Sequence, residues 1–342
     1  VKTPSHRGFR QDFHNLRAVA IILIVGAHTL PSFNWQNSPA VFQAFDVLCN
    51  EASVIFFFIA GFLFHHLSGR FQYGSYLRNK FLTVIVPYLL LSLPAIILFV
   101  YFIPKYNAPW GDEPAWIQFV MYYITGRHLA PLWFVPTITL FYIAAPLLLF
   151  ADRKLRWTYG LLPIAIAISV YLGRDAFWGP LGKAAYLLPA YFGGMFVSRY
   201  RDDVEAVVRS WLWPLVGVCV AIYIAMFFEA LPKSTHIVLK LLSALVFLHA
   251  LRYFETAVGN SLKYVADISF GIFFVHAYLI GAIAFALTSL TAATYATGQD
   301  AILPGSLAGY LVFTAAVFGL SVGSVWVCQK IFGARSRMLV GA

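Results

Sequence analysis

Apolar residues in this chain come in long, nearly unbroken runs, not in the alternating or 3.6-periodic stripes of a soluble domain. A bilayer core of about 30 Å asks for roughly 20 apolar residues per helix, within a range of about 17–25. Ten runs approach that length: about 16–33, 46–67, 80–103, 131–150, 157–172, 183–198, 211–230, 236–252, 266–290 and 306–330. The fifth and sixth are the shortest. The pattern predicts an all-α integral membrane protein with about ten transmembrane helices in one bundle. The stretch 116–124 is too short to span and reads as interfacial or re-entrant.

Composition agrees. Of the 342 residues, 61% are hydrophobic and only 11% charged, against about 25% charged in a soluble domain. A single transmembrane domain over 1–342, with no fused soluble domain and no cleavable signal peptide, is expected. The net charge of +10 would admit a nucleic-acid partner, but Lys and Arg cluster between the apolar runs. Membrane orientation produces that pattern, so membrane lipids are the expected surroundings and nucleic acid is not. With alternate loops assigned to one side, 18 of the 24 cations fall with the N-terminus. The other side has Lys105, Arg127, Arg174, Lys183 and Lys233, and Lys240 falls inside the eighth run. This split predicts two cytoplasmic termini and a multi-pass protein of the cell's inner or plasma membrane. Cys49, Cys219 and Cys328 are isolated and show no metal-ligand spacing.

Ionisable groups inside the runs carry the functional signal, because keeping them in a bilayer is costly. Arg17 and His28 stand eleven positions apart in the first run. At about 100° and 1.5 Å per residue they share one helical stripe and are separated by roughly 16 Å. On this orientation Arg17 sits at the cytoplasmic edge and His28 beyond the midplane. Glu51 near the outer end of the second run, and His276 in the ninth, fall at comparable depth. Lys240 is expected to snorkel outward. His65, His66, His128, His236 and His249 show no interpretable pattern.

Four stretches, in order along the chain, resemble the acyltransferase-3 family of membrane acyltransferases. The Arg17-to-His28 spacing is similar to its helix-one signature. The run Val54-Ile55-Phe56-Phe57-Phe58-Ile59-Ala60-Gly61-Phe62-Leu63 resembles its helix-two element, with Ala60 in place of the usual Ser. Pro131-Leu132-Trp133-Phe134-Val135 resembles the element opening a middle helix, and Ile268-Ser269-Phe270 through His276 resembles a late Ile-Ser-Tyr…His element. One departure stands out. Relatives often have an Arg-x-x-Arg pair before the third helix, whereas here the register reads Lys80-Phe81-Leu82-Thr83, with Arg78 upstream.

The resemblance implies transfer of an acyl group, usually acetyl, from acyl-CoA to a hydroxyl of an extracytoplasmic or lipid-linked carbohydrate, without a metal. A sugar hydroxyl needs a base beside the thioester, and imidazole suits that task near neutral pH. His28 is the candidate base, with Glu51 to orient it. His276 either donates to the developing oxyanion or fixes a helix–helix contact. Arg17, Arg78, Lys80 and Arg10 are candidates for the coenzyme A phosphates, which guanidinium groups can grip with two hydrogen bonds. Trp133 and Ser269 are candidate substrate contacts, though Trp133 also reads as an interface aromatic. A transporter or flippase remains the alternative, since intramembrane ionisable groups also mark substrate paths. No inverted repeat or pair of broken helices supports it.

Overall fold

The computed structural model describes residues 6–102, 109–174, 179–251, 262–290 and 303–342, with side chains from residue 12 onward. The ten predicted runs fall on helices. The first becomes α1 (His6–Thr29), followed by the short strand β1 (Phe33–Asn34). The second is interrupted, giving α2 (Pro39–Cys49) and α3 (Ser53–His66). The third spans α4 (Tyr73–Lys80) and α5 (Val86–Ile97), with π-helical turns at Phe81–Ile85 and Leu98–Phe102. Pro87 accounts for the first widened turn, since it lacks the N–H that would bond the Thr83 carbonyl in a regular α-helix.

The stretch 116–124 forms α6 (Ala115–Thr125), which ends at Gly126 with φ of 67°. A Cβ there would press on the Leu132 carbonyl, so only glycine fits. The fourth run bends by 54° between α7 (Phe134–Ile143) and α8 (Ala145–Lys154), beside Pro146. The fifth holds α9 (Leu162–Leu172) and the sixth α10 (Gly179–Arg199). Then come α11 (Arg201–Ser210) and α12 (Leu212–Phe227), bent by 77° at Trp211, and α13 (His236–Ala250). The last two runs give α14 (Ser269–Leu290) and α15 (Leu307–Phe332), with strand β2 (Leu303–Pro304) between them and α16 (Ser336–Leu339) at the end. Among the described residues, six helical segments are long and apolar enough to cross a membrane, or eight if each bent pair is one span. This is an all-α membrane protein.

The helices gather into two compact units. The first comprises Val1–Ile24, Val47–Tyr76 and Leu140–Asp267, and the second Val25–Asp46, Leu77–Thr139 and Ile268–Ala342. The first unit is built on the crossing of α3 and α10. An added Cβ at Gly61 would lie 1.8 Å from the Tyr191 carbonyl oxygen, and one at Gly194 2.0 Å from that of Phe58. Two helix backbones therefore touch through glycines, as membrane helices do where packing must replace the hydrophobic effect. Phe13 of α1 stacks on Phe62 of α3.

In the second unit, β1 and β2 pair in parallel, Phe33 with Leu303 and Asn34 with Pro304. Phe33 packs edge to face on Phe313 and Trp35 on Tyr310 beside that pairing, while Phe33 and Trp35 are tilted against each other. The Tyr310 hydroxyl donates to the Gly26 carbonyl at 3.1 Å, and Thr29 and Thr314 hydroxyls bond at 2.7 Å. The end of α1 that bears His28 is thus fixed to α15 by two hydrogen bonds.

Candidate active site

Two imidazoles meet in the second unit. His276 of α14 is fully buried, and its Nε2 lies 3.3 Å from Nδ1 of His28. Its other nitrogen, Nδ1, lies 3.0 Å from the carbonyl oxygen of Ile272, one turn earlier in α14. A carbonyl only accepts, so His276 Nδ1 bears the proton, and in a neutral ring Nε2 is then an acceptor. His28 must therefore donate through Nδ1. Its Nε2 is left as the ring's basic nitrogen. The half-buried ring of His28 is thus held in one tautomer by a chain of two hydrogen bonds ending on a backbone carbonyl.

One other recognised stretch, that of Phe134, packs beside this pair. Phe273, one turn from His276, packs on Phe134, and Phe134 contacts Trp133. Trp133 is half-buried. Ser269 is fully buried in the first turn of α14, where it faces protein and not solvent. Arg78 is exposed and Lys80 half-buried at the end of α4. In the first unit Arg17 is half-buried on α1. The side chain of Arg10 lies outside the described residues.

Glu51 sits in the first unit at the break between α2 and α3, with φ of 55°. Left-handed backbone is unusual for a side chain of this size and must be held in place by its surroundings. Its carboxylate accepts from the Tyr186 hydroxyl at 2.5 Å and faces Arg174 Nη1 at 3.8 Å. The broken end of α2 exposes carbonyls, and Lys240 meets them: its Nζ donates to Leu48 at 2.6 Å and Val47 at 3.1 Å. Lys240 is only 3% exposed, so it does not snorkel. A cation against a helix C-terminus is favourable, which accounts for the lysine turning inward.

A second polar cluster in this unit has no counterpart in the sequence reading. Asp152 of α8, 1% exposed, is gripped by Arg199 through Nε at 2.6 Å and Nη2 at 2.5 Å. The Tyr159 hydroxyl donates to the same carboxylate at 2.7 Å, and His65 Nε2 lies 3.4 Å away. His65 Nδ1 in turn bonds the Ser198 hydroxyl at 2.8 Å. The hydrogen bonds that Arg199 donates to Asp152 hold its pKa above its already high ordinary value, so the guanidinium stays charged. A lone carboxylate among Arg153, Lys154 and Arg156 was the available sequence signal.

A family model described as an acyltransferase domain, that of the acyltransferase-3 family, matches residues 10–329. The chain belongs to this family. The match takes in the His28–His276 pair and all four recognised stretches, and it makes the protein a membrane acyltransferase. No curated protein and no solved structure is significantly similar to it. The acyltransferase-3 assignment therefore stands on the domain match.

Proposed function

We propose that this acyltransferase moves an acetyl group from cytoplasmic acyl-CoA to a hydroxyl of an extracytoplasmic or lipid-linked carbohydrate, with His28 as general base. The observation that carries the proposal is the tautomer of His28. Its Nε2 is the basic nitrogen because Nδ1 donates to His276. The acceptor hydroxyl gives its proton to Nε2 as its oxygen attacks the thioester carbonyl. The C–S bond then breaks, and the proton passes from His28 to the departing thiolate of coenzyme A.

His276 acts here as a positioning residue. With Nε2 turned to His28 as an acceptor it has no proton to offer an oxyanion, which favours the helix–helix reading over the donor reading. Arg17, Arg78, Lys80 and Arg10 are proposed to hold the coenzyme A phosphates. Trp133, the more accessible of the two substrate candidates, is proposed to contact the acceptor, while the burial of Ser269 favours a supporting place. Ten spans with both termini in the cytoplasm, in an inner or plasma membrane, would put these cations on the donor's side. The 18-to-5 division of charge supports that orientation.

The test is transfer of isotope-labelled acetyl from acetyl-CoA to candidate glycans by purified protein. Label on an acceptor, lost in His28→Ala while the variant still assembles, is the expected result. Movement of unmodified glycan across vesicles without labelling would make the protein a carrier instead.

A further inference from the structure

Orientation explains cations on the cytoplasmic side and leaves those opposite without a reason. Two of the five assigned there, Arg174 and Lys233, line one cleft in the first unit, with a volume of about 930 Å³. The break at Asn50–Glu51, helix α9 and the start of α13 form its walls. Small-molecule sites occupy about 300–1,000 Å³, so this cleft has room for a saccharide of more than one ring.

Its polar groups are held from behind. The Ser234 hydroxyl donates to the Val170 carbonyl at 2.5 Å, and His236, 1% exposed, meets the Lys233 carbonyl at 2.6 Å. The Tyr186 hydroxyl, bonded to Glu51, also reaches the Ser234 carbonyl at 3.3 Å. Among the described residues lining the cleft, two cations face one carboxylate, Glu51, which already accepts from Tyr186. Among those described residues the balance is positive. Tyr171 on the α9 wall presents a ring that is 88% exposed.

We propose that this cleft binds an acidic sugar, carrying a carboxylate or phosphate. Arg174 and Lys233 take the anionic group, a geometry that a guanidinium fork matches well. Asn50 and Glu51 bond the hydroxyls, and the Tyr171 ring covers the C–H face. The preference for an anion stands independently of the acyl-transfer reading above.

The test is calorimetric titration of the full-length protein in phosphatidylcholine nanodiscs with galacturonate and, separately, with galactose. Galacturonate is expected to bind at least about tenfold tighter, the scale of one charge-assisted contact. The double variant Arg174→Gln, Lys233→Gln removes that margin. Lys233→Glu, at an exposed position, is expected to reverse the preference and serves if the double variant does not assemble. Equal binding of the two sugars, binding of neither, or a margin that survives both variants overturns the proposal. Discs containing phosphatidylglycerol supply the remaining arm: displacement of galacturonate by that lipid would assign the anion site to a headgroup and refute the sugar. Acyl-CoA turnover is measured on the same wild-type preparation. Turnover absent with the charge preference intact defeats the acyl-transfer reading alone, and the reverse outcome defeats this one alone.

Discussion

His276 Nε2 faces His28 Nδ1 at 3.3 Å, and the far nitrogen of His276 is tied to the Ile272 carbonyl. A neutral imidazole does here what an acidic residue does in a catalytic triad: it fixes which nitrogen of the base carries the lone pair. It does so without adding a second charge to a region where charge is costly. The last turn of α1 is anchored by Tyr310 and Thr314, so the ring proposed to move a proton sits on a fixed support.

Removing the base and removing its support should therefore differ in kinetics. His28→Ala is expected to lower acyl transfer by about 10²–10⁴-fold, the contribution of a positioned general base. His276→Ala should lower kcat more modestly with KM for acetyl-CoA unchanged. His276→Gln, which restores an acceptor oxygen, should recover part of the loss. A His276→Ala variant that changes KM alone would remove His276 from this role.

The Asp152–Arg199 pair makes a prediction about stability. Breaking a buried pair from one side typically costs about 3–5 kcal/mol, because a charge is left uncompensated. Arg199→Ala should therefore lower the unfolding midpoint in detergent sharply. Replacing both partners by Leu and Met should recover most of it. A single variant no less stable than the double one would show that the pair is not coupled.

Glycine at the α3–α10 crossing is a steric requirement. Gly61→Ala and Gly194→Ala each drive a methyl group into a backbone carbonyl. Overpacking usually costs about 1–3 kcal/mol, and backbone cannot turn aside as a side chain can. Both variants should be recovered in low yield or melt early. Gly193→Ala, one residue away with nothing within 4 Å of the added methyl, is the control and should behave as wild type.

Much of this was legible before any coordinates. Run length alone placed the helices, because a bilayer leaves the backbone few choices. The four recognised stretches identified the family, while the contact of His28 with His276, two residues expected only at comparable depth, came from the structure. The breaks were not legible. The second run reads as one span despite Asn50 and Glu51, yet it parts there, since a distant lysine in α13 can satisfy the freed carbonyls. That compensation lies 193 residues away in the chain, beyond the reach of any local pattern. Asp152 and Arg199 were hidden for the same reason. Each lies in a cluster of charges at a helix end, where orientation already explained the cations.

Lys240 provides the sharpest test of how the break is held. Its ammonium is buried, so it bears a desolvation cost, and what it gains in return is two hydrogen bonds to Val47 and Leu48 and the favourable field at the end of α2. If the cap dominates, Lys240→Met leaves those carbonyls unmet, at about 1–3 kcal/mol for each buried polar group. The unfolding midpoint should fall, and amide exchange at residues 50–54 should accelerate. Since Glu51 keeps its left-handed backbone only while the break holds its shape, that variant should also lose galacturonate affinity without any change in the charges of the cleft wall. If desolvation dominates, Lys240→Met will be more stable than wild type. The break would then be maintained by Tyr186 and Arg174 acting on Glu51, and the weight of the argument would pass to them.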